Sequence, residues 1–432
     1  MANRKYLGED ADLTRLPVAF LVGVQTQETS ADEAQDLLAE LAELTDTLGL
    51  PQAGSCLARL REINPALLLG SGKAKEIIEQ AKSVDADLII IDEMLSPVQQ
   101  RNWEELSELA VIDRQEVILD IFAARAQTNE ARLQVALAKA NYDLPRLTRK
   151  WTHLHRQRGM TGGMGGRAEG EQQLELDQRQ LRDRIAKLGR QLEQVRRQRD
   201  VQRSKRLREP VPVAAIVGYT NAGKSSLLNK LTEADVLVEN KLFATLDPTL
   251  RRLQLPGGLN LLLGDTVGFI RKLPHLLVEA FKSTLEETRL ADYIIEVLDA
   301  SGGDKLPAFH QTTQNVLKEI GAGLKPNITV LNKIDLVPDK LHRQRLMRKF
   351  PDAIMVSAKT GEGLPELLEK LVEQSTAVMR EMRLLVPHDR YDIMKTIRNR
   401  CSIDQEKYNE LGVELILRAP ESCQEMLEEF LL

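Results

Sequence analysis

Gly218-Tyr219-Thr220-Asn221-Ala222-Gly223-Lys224-Ser225 fits the pattern G-x-x-x-x-G-K-[ST]. A loop of this kind turns its backbone N–H groups inward around phosphate oxygens, and the helix that follows adds partial positive charge from its N-terminus. Lys224 can reach the β- and γ-phosphates, and Ser225, followed by Ser226, can offer a hydroxyl to Mg²⁺. Three more elements follow in order. Asp265-Thr266-Val267-Gly268 supplies a carboxylate for Mg²⁺ and a backbone amide for the γ-phosphate. Asn332-Lys333-Ile334-Asp335 supplies a carboxylate that can accept the N1–H and N2–H₂ of guanine together. Adenine lacks that donor pair, so Asp335 selects GTP and GDP over adenine nucleotides, by roughly 10⁴-fold in favourable polar sites. Ser357-Ala358-Lys359 offers a backbone amide to guanine O6.

Between the phosphate loop and Asp265 lies Phe243-Ala244-Thr245-Leu246-Asp247, with Thr245 expected as the second Mg²⁺ ligand and Thr249 as the alternative. The expected metal set is Ser225, Thr245 and Asp265, all hard oxygens, which suits Mg²⁺. Lys224, Thr245 and Gly268 are the expected catalytic positions. Position 269 departs from the common plan. Many GTPases place a glutamine there to orient the attacking water, whereas this chain has Phe269. Unaided hydrolysis is therefore expected to be slow, near ~10⁻⁴–10⁻³ s⁻¹. Either a K⁺ ion near Asn221 or a partner that orders the switch region must complete the site.

The elements that position these loops can be read from pattern. Val213–Val217 is a strand-like run before the phosphate loop, and Ser226–Leu231 is helical after it. Leu259–Leu263, Ile328–Leu331 and Ala353–Val356 are strand-like runs before the other three elements. Residues 210–383 thus read as a P-loop GTPase domain of alternating strands and helices. Residues 1–112 read as a small N-terminal α/β domain. Its expected strands are 17–24, Ala66–Leu69, Leu88–Ile91 and Ala110–Ile112, with helices at Ala31–Leu48, Lys73–Ser83 and Pro97–Leu109. Gly70-Ser71-Gly72-Lys73 lies between an expected strand and helix. It is too short for a phosphate loop and lacks Ser or Thr after the lysine, so a tight turn or an RNA contact is the plainer reading than a second nucleotide site.

Residues 113–209 carry coiled-coil spacings. Leu133, Leu137, Ala140, Leu144 and Leu147 form one apolar stripe, and Leu181, Ile185, Leu188, Leu192 and Val195 form another, with Leu174 one heptad earlier. The glycine-rich run Gly159–Gly166 between them predicts an antiparallel helical hairpin with a flexible tip, and Pro145 should kink the first arm. A helical linker packed on its neighbours is the plainer alternative. Residues 384–432, with a helix at Tyr391–Arg400 and a strand at Val413–Leu417, predict a small α+β C-terminal domain.

Charge divides along the same lines. The 432 residues carry a net −5, yet Leu144–Glu209 holds 18 Lys/Arg against 8 Asp/Glu, a local +10 that leaves the remainder near −15. A basic block on an acidic protein fits a polyanionic partner, or simply a solvated helix face. With 42% hydrophobic and 28% charged residues the chain is neither a disordered tail nor a membrane bundle, and no apolar run approaches the ~18–20 residues of a membrane span. Met1–Asp12 is polar and of mixed charge, unlike a secretory signal, and Cys56, Cys401 and Cys423 are too far apart in sequence for a ligand motif. A reducing, cytoplasmic setting is expected, with partial association at the membrane periphery left open.

The motifs resemble the HflX family of ribosome-associated GTPases, within the Obg–HflX group. The likeness rests on GYTNAGKS at 218–225, FATLD at 243–247, DTVGFIR at 265–271, NKID at 332–335 and SAK at 357–359. It extends to LLLGSGK at 67–73, PRLTRKWTHLHRQRG at 145–159, GEQQLELDQRQLRDRI at 170–185 and the tail segments VPHDRYD and KYNELGVEL. The family's glycine–arginine–glycine–proline run stands here as Gly166-Arg-Ala-Glu-Gly170. The resemblance implies GTP-controlled binding to the large ribosomal subunit and its RNA. It also implies splitting of stalled or hibernating ribosomes, notably after heat stress, with hydrolysis to GDP and phosphate resetting the switch. Trp151, His153 and His155 could then stack on irregular RNA or pack within the hairpin. The free protein is expected to be monomeric. A signalling switch whose heptads dock a protein is the competing reading, and a non-ribosomal RNA remodeller using ATP at the N-terminal loop a weaker one.

Overall fold

The computed structural model describes residues 15–147, 165–206, 211–232, 242–243, 249–272, 282–337, 339–377, 379–419 and 421–432. By its contacts the chain divides into two units: Met1–Gln194 with Lys272–Ala280, and Val195–Arg271 with Phe281–Leu432.

In the first unit a four-stranded parallel sheet is built from β1 (Ala19–Gln25), β2 (Gln52–Arg59), β3 (Leu88–Ile91) and β4 (Ala110–Asp113), in the order β2-β1-β3-β4. Six of the seven residues of β1 are buried, as a strand covered on both faces requires. Helix α1 (Ala31–Thr47) starts where Ser30 Oγ accepts the Glu33 amide at 3.1 Å, and buries Leu37, Leu38, Leu41 and Leu44. Helix α2 spans Ser71–Ser83. Helix α3 (Pro97–Ser107) opens on a reciprocal Ser96–Gln99 capping box with Pro97 at its first turn. Helices α4 (Arg114–Arg125) and α5 (Asn129–Asp143) follow, N-capped by Asp113 and Thr128.

The reading from pattern changes here. Ala66–Leu69 is not a strand but a turn, with Leu68 at φ 66° and its three leucines buried beside Trp103, whose Nε1 donates to Leu67 O at 2.7 Å. Those leucines were apolar for packing rather than for pairing. The strand beside β1 is β2, whose uneven burial as an edge element left no apolar run to read. With no strand ahead of it, Gly70–Lys73 lacks the setting of a phosphate loop, and Lys73 Nζ instead meets Glu76 Oε1 at 2.7 Å. At Pro145 helix α5 passes into a 3₁₀ turn, Leu144–Arg146, since proline lacks the N–H that would bond back into the preceding turn; whether the arm kinks beyond Leu147 lies outside the described residues.

Helix α6 runs from Gly165 to Arg206, 42 residues and about 63 Å at ~1.5 Å per residue. It takes in Gly165, Gly166 and Gly170, so the glycines do not all form a break. The long run of Glu, Gln, Leu and Arg that follows carries their cost. The tip, with Trp151, His153 and His155, lies outside the described residues. Along α6, Leu188 and Leu192 are buried and Leu181, Ile185 and Val195 half-buried, while Arg179, Arg182, Arg184, Lys187, Arg190, Arg196 and Arg197 are exposed. The heptad stripe is therefore the packed face and the arginines the wet one. Leu181 and Arg184 line a cavity with Val135, Lys139 and Ala140 of α5.

The second unit centres on a six-stranded sheet of β5 (Val213–Gly218), β6 (Thr249–Gln254), β7 (Asn260–Asp265), β8 (Tyr293–Asp299), β9 (Asn327–Asn332) and β10 (Ile354–Met355). The order is β10-β9-β8-β5-β7-β6, parallel except for the edge strand β6. Successive residues of β5 face opposite layers. Ala214 and Ile216 join one core cluster with Leu227 and Leu228, and Ala215 and Val217 join the other with Leu285 and Leu317. Helices α7 (Lys224–Thr232), α8 (Lys282–Leu290), α9 (Leu306–Glu319), α10 (Lys340–Lys349) and α11 (Leu364–Ala377) belong to this part. At the C-terminus, β11 (Arg380–Val386), β12 (Ser402–Asn409) and β13 (Gly412–Ala419) form an antiparallel sheet in the order β11-β13-β12. With α12 (Tyr391–Arg400) and α13 (Glu421–Leu427) it makes the α+β tail, around a core that includes Leu384, Ile397, Leu415 and Leu427.

Candidate nucleotide-binding and hydrolysis site

All four motif loops leave the C-terminal ends of parallel strands, where open α/β sheets bind ligands. Gly218 ends β5, Asp265 ends β7, Asn332 ends β9, and Ser357 follows β10. Gly218 has φ 145°, and a Cβ there would stand 2.2 Å from Val297 O, so the loop can leave the sheet only with glycine. Gly223, at φ 87°, is held as tightly: its Cβ would meet Asn332 Nδ2 at 2.3 Å.

That close approach serves a bond. Asn332 is 2% exposed, its Nδ2 donates to Ala222 O at 2.9 Å, and its Oδ1 accepts the Ala358 amide at 3.0 Å. One side chain thus ties the phosphate loop to the Ser357-Ala358-Lys359 loop. Asp335 Oδ1 accepts from Ser357 Oγ at 2.6 Å, which fixes the carboxylate. Lys333 takes a left-handed turn at φ 62°, and its Nζ pairs with Asp299 Oδ2 at 2.8 Å. Exposed Lys359 lies beside them.

Lys224 is buried, with Nζ donating to Tyr219 O at 2.8 Å and Gly218 O at 3.1 Å. Burial first of all pushes its ammonium down to about 8; Asp265 pulls it back up and Lys333 adds to the fall. Ser225 Oγ donates to Asp265 Oδ2 at 2.7 Å, and Asp265 is 1% exposed. A hydroxyl and a carboxylate side by side are the donor chemistry Mg²⁺ takes, so these residues fit the ion. The third expected ligand, Thr245, lies outside the described residues with Ala244, Leu246 and Asp247. Phe243 is buried, at φ 55°.

Several expected residues contribute through backbone rather than side chain. Ala222 and Ile334 sit in apolar clusters, Val267 is buried, and Thr266 Oγ1 donates to Ile216 O at 2.7 Å. Thr220 Oγ1 is buried with no hydrogen-bond partner among the described residues. Ser226 is half-buried, and Asn221 is exposed at φ 60°. Phe269 is a core residue, 1% exposed in the cluster of Val217 and Leu285, so its side chain cannot address water. Asp299 and Phe309 were not legible as site residues, because neither belongs to a motif and each reaches the site from another element.

A parallel sheet whose strand ends carry a phosphate loop, a buried lysine, a hydroxyl–carboxylate pair and a fixed guanine-type carboxylate is a P-loop GTPase. Three family models match: GTP-binding GTPase N-terminal over residues 35–123, GTP-binding GTPase middle region over 125–206, and 50S ribosome-binding GTPase over 213–333. The curated GTPase HflX of Akkermansia muciniphila is 47% identical over 422 residues, 96% of each chain. That of Escherichia coli K12 is 41% identical over 391 residues, 90% of this chain and 91% of the other. A GTP-binding protein from the hyperthermophilic archaeon Sulfolobus solfataricus, solved with GDP, shows 25% identity and a TM-score of 0.43, over 84% of this chain and 99% of that one. The chain belongs to the HflX family of GTPases, and its activity is GTP hydrolysis.

Proposed function

We propose that this GTPase binds the large ribosomal subunit in its GTP state, splits or rescues stalled and hibernating ribosomes, and is reset by hydrolysis to GDP and phosphate. The observation that carries the reading is the match of residues 213–333, which hold the phosphate, Mg²⁺ and Asp335 loops, to the 50S ribosome-binding GTPase model. Helix α6 supports it, since its exposed Arg179, Arg182, Arg184, Lys187, Arg190, Arg196 and Arg197 outnumber the exposed Glu175, Asp183 and Glu193, a net positive surface that suits RNA phosphates. Residues 1–112, 113–209, 210–383 and 384–432 are the four functional parts.

In hydrolysis the chain mainly positions and neutralises. Lys224 holds the β- and γ-phosphates, Gly268 presents its amide to the γ-phosphate, and Asp335 reads guanine. Ser225, Asp265 and Thr245 would hold Mg²⁺, which would supply neutralisation of phosphate charge when bound. With Phe269 in place of glutamine, a K⁺ ion at exposed Asn221 or the ribosome itself completes the site. Hydrolysis by an Asn221→Ala variant that equals wild type in both potassium and sodium buffers would remove the ion from this account. Among the described residues no helix is long and apolar enough to cross a membrane. The proposal places the protein in the cytoplasm, with any membrane fraction peripheral, and monomeric when free.

The test is sedimentation with ribosomes in GDP, GTP and a non-hydrolysable GTP analogue. Co-migration with the large subunit in the GTP and analogue arms, weaker with GDP, is expected. No co-migration in any arm would overturn the proposal.

A further inference from the structure

The segment after Gly268 is paired with the phosphate loop residue by residue. Phe269 N–H donates to Gly218 O at 3.0 Å, and Thr220 N–H donates to Phe269 O at 2.8 Å, a parallel bridge centred on Tyr219 and Phe269. Two residues on, Arg271 N–H donates to the Tyr219 hydroxyl at 3.0 Å. The Tyr219 ring, in turn, stacks on Phe309 of α9, with centroids 4.2 Å apart and planes 25° from parallel. The Arg271 guanidinium lies 5.7 Å from the centroid of the same Phe309 ring. Phe269 anchors the middle of the segment in the core beneath the sheet. Just before this zipper, Gly268 is pressed onto the phosphate loop: a Cβ there would stand 2.8 Å from Thr220 Cγ2 and 2.9 Å from Lys224 Nζ.

We infer that Tyr219 is a positioning residue for hydrolysis, its hydroxyl latching the segment after Gly268 to the phosphate loop and its ring bracing that latch on Phe309. Sequence pattern puts Tyr219 among the nucleotide contacts, but its hydroxyl is spent on Arg271 and its ring on α9. The need for such a latch follows from Phe269. Where a glutamine would orient water with a flexible side chain, this chain has only backbone to set the register of Gly268 against Lys224. That register is held at one end by strand β7 and at the other by the Arg271–Tyr219 bond. Loosening the latch leaves the nucleotide's contacts with Lys224, Ser225 and Asp335 in place while letting the Gly268 amide wander, so the cost falls on turnover and not on binding.

Tyr219→Phe keeps the ring and removes only the hydroxyl. In the full chain, with GTP, Mg²⁺ and potassium, kcat should fall about 3–10-fold, the worth of one hydrogen bond of this kind, with KM for GTP and affinity for GDP within about twofold of wild type. Unchanged or raised kcat would overturn the inference. So would a parallel loss of GDP affinity, which is what damage to the phosphate loop itself produces. Phe309→Leu keeps apolar volume but removes the ring plane, and should also lower kcat alone. Combined with Tyr219→Phe it should cost little beyond the larger single effect, because both act through one latch. Full multiplication of the two effects would show separate roles and sink the shared brace.

Discussion

The guanine-nucleotide site and helix α6 work by opposite physics. The site is cross-tied: Asn332, Asp335 and Ser225 are each held by a bond of between 2.6 and 2.9 Å to another segment, and buried Lys224 by bonds within the phosphate loop. The exposed surface of α6 carries more Lys and Arg than Asp and Glu, while Leu188 and Leu192 are buried. The first arrangement discriminates by geometry, since a wrong base leaves fixed polar groups unpaired. On the proposed function, the second would attract RNA by field, indifferent to base sequence and weakened by salt. Under the proposed function, a protein that chooses one nucleotide and grips a large polyanion would use each where it suits.

Asp335→Asn attacks the geometric half and should have the largest effect. Guanosine nucleotides should lose about 10³–10⁴-fold in affinity, with xanthosine nucleotides gaining, in competition against a fluorescent GDP. A guanine preference left intact would mean that Asp335 is not the base reader. Replacing Arg179, Arg182 and Arg190 together by Glu attacks the field half. Ribosome affinity should fall on the order of 100-fold at moderate salt, with a shallower salt slope, while unaided GTP hydrolysis stays within about twofold. If hydrolysis fell equally, the two halves would not be separable.

The smallest of the three effects concerns pH. Burial holds the Lys224 ammonium down to about 8 in the nucleotide-free protein, and bound phosphates must favour its charged form. Binding therefore takes up a proton above that value. GDP affinity should be flat from about pH 6.5 to 7.5 and fall up to tenfold by pH 9. A flat profile through pH 9 would show that Lys224 stays charged in the empty site.

What could be read from sequence was what the backbone forces on residue type. Gly218 and Gly223 are glycine because a Cβ would strike Val297 O or Asn332 Nδ2, so their spacing with Lys224 survives as a motif. The parallel sheet under the motifs was equally legible at β5, β7 and β9, whose apolar runs are largely buried, whereas β8 went unread. Illegible were contacts made by ordinary residues from distant segments: Asp299 on Lys333, Phe309 under Tyr219, the Arg271 amide on the Tyr219 hydroxyl. Edge strand β2 went unread while the buried turn at Ala66–Leu69 was read as a strand, since apolar runs report burial and not pairing.

Asn332 has a consequence for time as well as for affinity. Because its amide is bonded to the phosphate loop at Ala222 and to the base loop at Ala358, neither end of a bound nucleotide can loosen without pulling on the other. GDP is therefore expected to leave in one concerted escape rather than by peeling from base to phosphate, and Asn332→Ala to shorten the dwell of the spent nucleotide in a stopped-flow release measurement.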